Sequence, residues 1–316
     1  SSIGIVMPAY NEAPNLAEIV PETIDVCRDS FGRVEVMVVD DGSTDDTREV
    51  MARLVAEYPE VTYVRLRRNA GKSQALRVGL AEIDADLVAL MDADGQDRAE
   101  SLPKLAVELE TGVDLVTGRR STRQDRFVKR TTSKLYNKAT SVVTGVEGKD
   151  FNSGLKLMRV SVAKSLELYG ELHRYIPVLA QWMGFRVGEC DVEHQPRLHG
   201  ETKFGRARFW RGFLDLITVK FLTTYTTRPF HLFGSMGVIA GAVGTGLLTW
   251  MLIEKLAGNG IGQRPALLAG VLLVVVGVQL ASLGLIAELF TNHRETRGGD
   301  IVAEFSRSEP RRRSSD

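Results

Sequence analysis

Cysteine is almost absent: Cys27 and Cys190 are the only two in 316 residues, and no Cys-x-x-Cys pair occurs. That excludes a disulfide-built scaffold and fits a reducing compartment. Net charge is absent too, since 40 Lys and Arg balance 40 Asp and Glu. A nucleic-acid binder coated in positive charge is therefore disfavoured. The balance hides a split. Residues 1–100 carry 20 acidic and 10 basic side chains, net −10, and the remainder carries 20 and 30, net +10, which leaves room for a local anion site in the second part. No basic n-region followed by an apolar h-region opens the chain, so either its start has been trimmed or the N-terminal part is expected to stay in the cytosol. Two phosphate-loop signatures are missing as well. Met7-Pro8-Ala9-Tyr10-Asn11-Glu12 follows the first apolar run where a dinucleotide dehydrogenase would show Gly-x-Gly-x-x-Gly. Asn69-Ala70-Gly71-Lys72-Ser73 has the tail of a P-loop, but the Walker pattern needs glycine at position 66, which is Leu66, so a P-loop NTPase is set aside.

With 44% hydrophobic and 25% charged residues, the chain is of globular composition, which rules out a disordered or collagen-like chain and a mostly lipid-embedded carrier. It nevertheless contains two long uncharged runs, 232–253 and 266–287, each of 22 residues without Asp, Glu, Lys or Arg. As helices they would each reach about 33 Å, enough for a hydrocarbon core of about 30 Å. The alternative is a pair of buried core helices. Basic residues crowd the outer flanks (Arg206, Arg208, Arg211, Lys220 and Arg228 before; Arg294, Arg297, Arg307 and Arg311 to Arg313 after), while the connecting loop holds only Lys255 and Arg264. The positive-inside bias thus places both termini in the cytoplasm and the protein in the inner membrane. In 207–228, Phe209, Trp210, Phe213, Leu214, Ile217, Phe221 and Leu222 recur at helical spacing between polar residues. This reads as an amphipathic helix in the bilayer interface, or as a surface helix of the soluble part. Gly270, Gly277 and Gly284, seven apart, and the pair Gly237 and Gly241 allow close helix packing, and with it a homo-oligomer through the membrane helices, although glycine is common in such helices in any case.

The first 200 residues alternate strand and helix signals. Strands are expected at 3–7, 34–39, 61–66, 87–91 and 113–117, and helices at 13–28, 44–57 and 71–83. The fold class is therefore α/β, with a mostly parallel, doubly wound sheet whose ligands bind beyond the carboxyl ends of the strands. Pro8 to Glu12, Asp40 to Ser43 and Asp92 to Gln96 all fall at such ends. Asp92-Ala93-Asp94 follows an apolar strand, and two adjacent carboxylates repel unless a cation sits between them. Hard oxygen ligands suit Mg²⁺ or Mn²⁺. Alone, Asp-x-Asp could be an ordinary polar turn. Together with Tyr10 as a flat face for a base, and Asp40 and Asp41 as hydrogen-bond acceptors, it makes a nucleotide site. His173, His194 and His199 share no metal-ligand spacing and read as polar or structural.

Pro8-Ala9-Tyr10-Asn11-Glu12, Val38-Val39-Asp40-Asp41-Gly42-Ser43 and Asp92-Ala93-Asp94-Gly95-Gln96 resemble glycosyltransferase family 2 with its GT-A, Rossmann-like fold. With Asp150-Phe151-Asn152-Ser153-Gly154, Arg197-Leu198-His199-Gly200-Glu201-Thr202-Lys203-Phe204 and two terminal spans, the chain is similar to the polyprenyl-phosphate glycosyltransferases, the group of dolichol-phosphate mannose synthase and the bacterial glucosyl carrier synthases. The resemblance implies that Pro8, Tyr10, Glu12, Asp40, Asp41 and Asp92 hold the nucleotide, and that Asp92, Asp94 and Gln96 ligate a divalent metal. Gly95 departs from the bulkier residue of the group. It further implies that Arg119, Arg130 and Ser133 meet acceptor or donor phosphate and that Arg197 and Lys203 clamp phosphates. Asp94, Asp150, Arg119, Arg197 and Lys203 are then the catalytic candidates, with Asp150 either orienting the acceptor or serving as a base. The implied partners are a nucleotide sugar, UDP-glucose-like or GDP-mannose, a polyprenyl phosphate and the membrane. The implied reaction is an inverting hexose transfer. The implied division is a catalytic domain over 1–205, an amphipathic segment over 206–229, two membrane helices over 230–290 and a disordered tail over 291–316. A polymerising family 2 synthase would need a longer membrane channel and a Gln-x-x-Arg-Trp motif, which is missing. A catalytically dead nucleotide-binding module is disfavoured by the intact Asp92, Asp94 and Gln96.

Overall fold

The computed structural model describes residues 1–120, 153–193, 218, 221, 229–260 and 264–295. Asp150, Arg130, Ser133, Arg197, Lys203, His194, His199 and, apart from Thr218 and Phe221, the expected amphipathic segment lie outside the described residues. The chain divides into two compact units, Ser1–Val219 and Lys220–Asp316.

The first unit holds a seven-stranded sheet made of β1 (Ser2–Ala9), β2 (Arg33–Asp40), β3 (Val61–Arg65), β4 (Leu87–Leu90), β5 (Leu115–Arg120), β6 (Lys156–Arg159) and β7 (Val187–Val192), in the order β3-β2-β1-β4-β6-β5-β7. The helices are α1 (Ala13–Ser30), α2 (Thr47–Glu57), α3 (Lys72–Glu82), α4 (Leu102–Glu110), α5 (Val160–Ser165) and α6 (Ile176–Trp182). Strands alternate their faces, as a period of two requires. Ile3, Ile5 and Met7 of β1 join Val36 and Val38 of β2, Leu16, Val20 and Ile24 of α1, Met51 of α2 and Leu105 of α4 in one core. Val6 and Val39 point the other way, against Gly79 of α3.

The four strands β3, β2, β1 and β4 are parallel as expected. Beyond them the sheet is mixed: β6 runs antiparallel to both β4 and β5, while β5 and β7 are parallel. The expectation of a mostly parallel sheet holds: of the seven described strands, β6 alone runs against the others. A strand that returns against the direction of β5 needs no helical crossover and leaves no periodic signal of its own. The registers Ala9 with Asp40 and Val6 with Leu90 bring the carboxyl ends of β1, β2 and β4 to one edge.

The second unit contains α7 (Pro229–Leu256) and α8 (Pro265–Glu295). Both are long and apolar enough to cross a membrane, over Pro229–Leu256 and Pro265–Leu289, and their most apolar stretches are only 17% and 11% buried, unlike core helices of a soluble domain. Helix α8 continues to Glu295, past the expected start of the tail. At the connecting turn Arg264 pairs with Glu254 at 3.0 Å. Of the glycines read as an oligomer surface, Gly237, Gly270, Gly277 and Gly284 face inward, a Cβ at Gly237 lying 2.6 Å from the Gly277 carbonyl oxygen, while a Cβ at Gly241 would meet nothing within 4 Å. The stripe is therefore used within the hairpin, where backbone-to-backbone approach supplies the packing that lipid cannot oppose.

Gly277→Val should force the two helices apart, costing about 1–3 kcal/mol as overpacking does, and lower the melting temperature in detergent. Gly246→Val, whose Cβ would face open space, should leave it unchanged.

Candidate active site

The loops after β1 and β2 are stitched to each other. Asn11, in the left-handed region at φ 58°, donates its backbone N–H to Ser43 Oγ at 2.9 Å, and its side-chain oxygen accepts from the Thr44 N–H at 2.8 Å. The Asp41 N–H reaches the Ala9 carbonyl at 2.8 Å. This holds Tyr10 out into solvent, 45% exposed. Asp41 turns both oxygens toward the start of α3, accepting from Ala70 N–H at 2.7 Å and Gly71 N–H at 2.9 Å.

At the same edge lies a cleft of about 290 Å³ lined by Pro8, Ala9, Tyr10, Glu12, Asp41, Lys72, Asp92, Ala93 and Asp94. The structure thus brings together five of the six expected nucleotide residues and two of the three expected metal ligands. Asp40 is not among the lining residues. It is fully buried, and its carboxylate accepts from the Ser43 N–H at 2.7 Å and the Tyr63 hydroxyl at 2.6 Å, with Arg65 Nε at 3.4 Å. Its geometry is that of a strut beneath the loop. Burial, then the bond to Asp40, pushes the Tyr63 phenol up. Gln96 contributes its backbone N–H to Asp94 Oδ1 at 3.2 Å, closing the turn that aims Asp94, and its side chain does not line the cleft. Arg119, at the end of β5, holds Asp191 of β7 through Nε at 2.5 Å and Nη2 at 2.6 Å, away from the cleft wall.

Lys72, from the motif dismissed as a P-loop tail, points into this cleft and hydrogen-bonds Asp92. Burial alone would push the Asp92 carboxyl up. The Lys72 ammonium outweighs it, with help from Lys156, and holds the group below the usual carboxylate range. Lys156 of β6 is itself buried and donates to the Ser153 carbonyl. His173 packs between these charges, with Nδ1 2.9 Å from Ser73 Oγ. Burial, then the nearby Lys72 and Arg174, drives its pKa down to about 2, so the ring is neutral. Gly154 completes the floor: a Cβ there would lie 2.6 Å from Asp97 Oδ2 and 2.8 Å from Asp92 Oδ2. Lys72, Lys156, Asp97 and His173 were not singled out for this site by the sequence. The spacing of Lys72 from a strand end was the available signal for the first; the other three are brought in by the mixed half of the sheet or by packing.

Among the described residues no group of three His, Cys, Asp or Glu side chains forms a cage for a metal. Two carboxylates, Asp92 and Asp94, facing an open cleft instead suit a hard divalent ion that takes one or two protein oxygens and the rest from substrate phosphate and water. The donor set fits such an ion.

The paired carboxylates lie in an open cleft at the carboxyl edge of a mixed α/β sheet of GT-A type, in a chain with two apolar helices, and the family match makes this the fold of a glycosyltransferase. The chain belongs to glycosyltransferase family 2, whose model, described as glycosyl transferase family 2, matches residues 4–167. It is 35% identical over 293 residues to dodecaprenyl-phosphate galacturonate synthase of Rhizobium johnstonii, covering 91% of this chain and 87% of that protein. It is also 35% identical to undecaprenyl-phosphate 4-deoxy-4-formamido-L-arabinose transferase of Edwardsiella ictaluri, over 90% and 87% of the two chains. In fold it is similar to a mannosyltransferase from Pyrobaculum calidifontis solved with GDP-mannose and Mn²⁺, with a TM-score of 0.52 and 18% identity over 94% of this chain and 75% of that one. Glucosyl-3-phosphoglycerate synthase from Mycobacterium tuberculosis, solved with Mn²⁺ and UDP-glucose, gives 0.52 and 21% over 70% and 78%.

Gly154→Ala should displace Asp92 and Asp97 and raise the Mn²⁺ concentration needed for half-maximal activity by about 10–100-fold, the usual loss when a ligand's support is disturbed. His173 binds no proton in the folded state until the pH nears 2, whereas the unfolded chain takes one up near pH 6.5. Stability should therefore fall as the pH drops below about 6.5, by up to about 1.4 kcal/mol per pH unit from this group. In His173→Asn, whose amide can still meet Ser73, the acid-side slope measured by denaturant titration should be shallower by that amount.

Proposed function

We propose that this protein moves a hexose from a nucleotide sugar, UDP-linked in preference to GDP-linked, to polyprenyl phosphate at the cytoplasmic face of the inner membrane, giving a polyprenyl-phosphate sugar. The observation that carries this reading is the cleft joining Tyr10, Glu12, Asp41, Lys72, Asp92 and Asp94 in a chain that also carries two membrane-length helices. The printed activities of the relatives, galacturonate and formamido-arabinose transfer on dodecaprenyl and undecaprenyl phosphate, support the lipid acceptor, and the Mn²⁺ and nucleotide sugars of the structural neighbours support the donor and metal.

In this reading Tyr10 stacks on the base, and Glu12 and Asp41 accept from the nucleoside. Asp92 and Asp94, with Gln96, would hold Mg²⁺ or Mn²⁺, which when bound supplies positive charge against the diphosphate. Lys72 adds a protein cation at the same place. A lipid phosphate monoester has a second pKa near about 6, so it is largely a dianion at neutral pH and needs no strong base. One of its oxygens attacks the anomeric carbon, the bond from that carbon to the diphosphate oxygen breaks, and the nucleoside diphosphate leaves with the electron pair, inverting the centre. What the enzyme contributes is alignment and cations to offset repulsion between two phosphate-bearing substrates. Arg119, Arg130, Ser133, Arg197 and Lys203 are proposed for that task, and Asp150 for orienting the acceptor. The two membrane helices anchor the chain in the bilayer that holds the lipid phosphate, with both termini cytoplasmic, and self-association of the hairpin is part of the reading.

Radiolabelled UDP-glucose, UDP-galactose, UDP-GlcNAc and GDP-mannose, supplied separately with polyprenyl phosphate and Mg²⁺ or Mn²⁺, should give organic-extractable label with one donor. Asp94→Ala should lower that transfer at least about 100-fold, as losing a principal electrostatic partner does, and excess chelator should abolish it. Full transfer in Asp94→Ala, or in chelator, contradicts the metal assignment.

A further inference from the structure

Among the described residues that line the cleft, Lys72 brings the one positive side chain, against the carboxylates of Glu12, Asp41, Asp92 and Asp94. Its backbone is clamped on both sides. The preceding Ala70 and Gly71 donate their N–H groups to Asp41 at 2.7 and 2.9 Å. The following Ser73 is buried, its hydroxyl 2.9 Å from His173 Nδ1 and accepting the His173 N–H at 3.3 Å. Asp92 is hemmed in as well, since a Cβ at Gly154 would lie 2.8 Å from its Cγ and from its Oδ2. What can turn is the long stem of Lys72, and its contact with Asp92 is not sealed: the two side chains are 34% and 30% exposed.

Lys72 bonds to the same Asp92 carboxylate that, in the reading above, holds the divalent ion. An ammonium and a divalent cation on one carboxylate repel each other at short range. The two therefore compete for Asp92. The other carboxylates of the wall already accept hydrogen bonds: both oxygens of Asp41 from α3, Glu12 from Asn15 Nδ2 at 2.5 Å, and Asp94 from the Gln96 N–H at 3.2 Å. A nucleoside diphosphate brings several negative charges and a set of strong acceptor oxygens into the cleft that Lys72 lines. An ion pair open to solvent exchanges its partner at far lower cost than a sealed one.

We propose that Lys72 is a counter-ion that changes partner: it neutralises Asp92 until the donor enters, then passes to the diphosphate and gives up Asp92 to the divalent ion. Without nucleotide, Lys72 opposes the metal. With nucleotide, it has left Asp92 and meets the charge of the diphosphate instead, so this one side chain makes the two ligands bind together. Ser73 and His173 act through it, by fixing the helix end from which its stem reaches. No covalent bond changes in the exchange. The proposal rests on the reading of this cleft as a metal and nucleotide-sugar site.

The test is calorimetric titration of Mn²⁺ into the full chain in detergent, without nucleotide and with saturating UDP or GDP. Mn²⁺ alone should bind Lys72→Met at least about fivefold more tightly than the wild type, the low end of ordinary coupling between sites. With nucleotide present its affinity for the variant should not rise, so the enhancement of Mn²⁺ binding by nucleotide should shrink by at least that factor. Lys72→Gln, uncharged but with a polar tip, should behave in the same way. A second measurement needs no variant: the rate at which an amine-reactive ester acylates Lys72 of the wild type at fixed pH, followed by mass spectrometry. Saturating Mn²⁺ should raise that rate, and the nucleotide that binds should lower it again. Equal tightening of Mn²⁺ binding with and without nucleotide means that Lys72 stays on Asp92 and overturns the exchange, as do no tightening in either variant and an acylation rate indifferent to Mn²⁺. A wild type in which neither UDP nor GDP alters Mn²⁺ affinity overturns the metal and nucleotide reading of the cleft, and the exchange with it; enhancement by nucleotide that is undiminished in both variants overturns the exchange alone.

Discussion

The structure depends on carboxylates gathered at one edge of a sheet, where they repel each other unless positive charge is brought among them. Parallel pairing of β1, β2 and β4 makes this unavoidable: it delivers the chain ends bearing Glu12, Asp41, Asp92 and Asp94 to the same side. The protein answers with two lysines of different kinds. Lys156 is buried in β6 and fixed beside the Ser153 carbonyl. Lys72 stands at the head of α3 on the cleft wall, bonded to Asp92. Between them they hold the half-buried Asp92 carboxyl below the usual carboxylate range, the ionised state in which it can hold a cation.

The rest of the first unit serves that edge. The left-handed Asn11 and buried Asp40 fix the loops, and the backbone N–H groups of Ala70 and Gly71 hold Asp41. The absence of a side chain at Gly154, just before β6, leaves room for the Asp92 and Asp97 carboxylates beside it. The antiparallel β6 is therefore part of the site as well as of the sheet. In the second unit glycine does a comparable job, allowing α7 and α8 to touch through their backbones and leaving the longer side chains for the bilayer.

Much of this was legible beforehand. The strands and helices to residue 90 and the two apolar helices were set by period and by Gly, Pro and Asp punctuation, and the acidic strand ends marked the cleft. What was not legible came from tertiary pairing. Strand β6 is four residues long, and nothing in Lys-Leu-Met-Arg says which way it runs. Lys156 and His173 enter the site from strands and turns far along the chain, where a lone lysine or histidine has no local signature. Lys72 sits in Gly71-Lys72-Ser73, whose only local signal is that of a P-loop tail, and with leucine at position 66 that signal points nowhere. Asp40 shows the converse: its position at a strand end reads as a ligand, yet Tyr63 and Arg65, a strand away, occupy it.

An acidic edge that seats a nucleoside diphosphate through a bridging cation must bind nucleotide and metal together. Calorimetric titration of UDP and of GDP into the full-length enzyme, with saturating Mn²⁺ and with chelator, tests it most directly. One nucleotide should bind at least about tenfold more tightly with the metal, and by reciprocity Mn²⁺ should bind more tightly by the same factor when that nucleotide is present. Equal nucleotide affinity with Mn²⁺ and with chelator would contradict it.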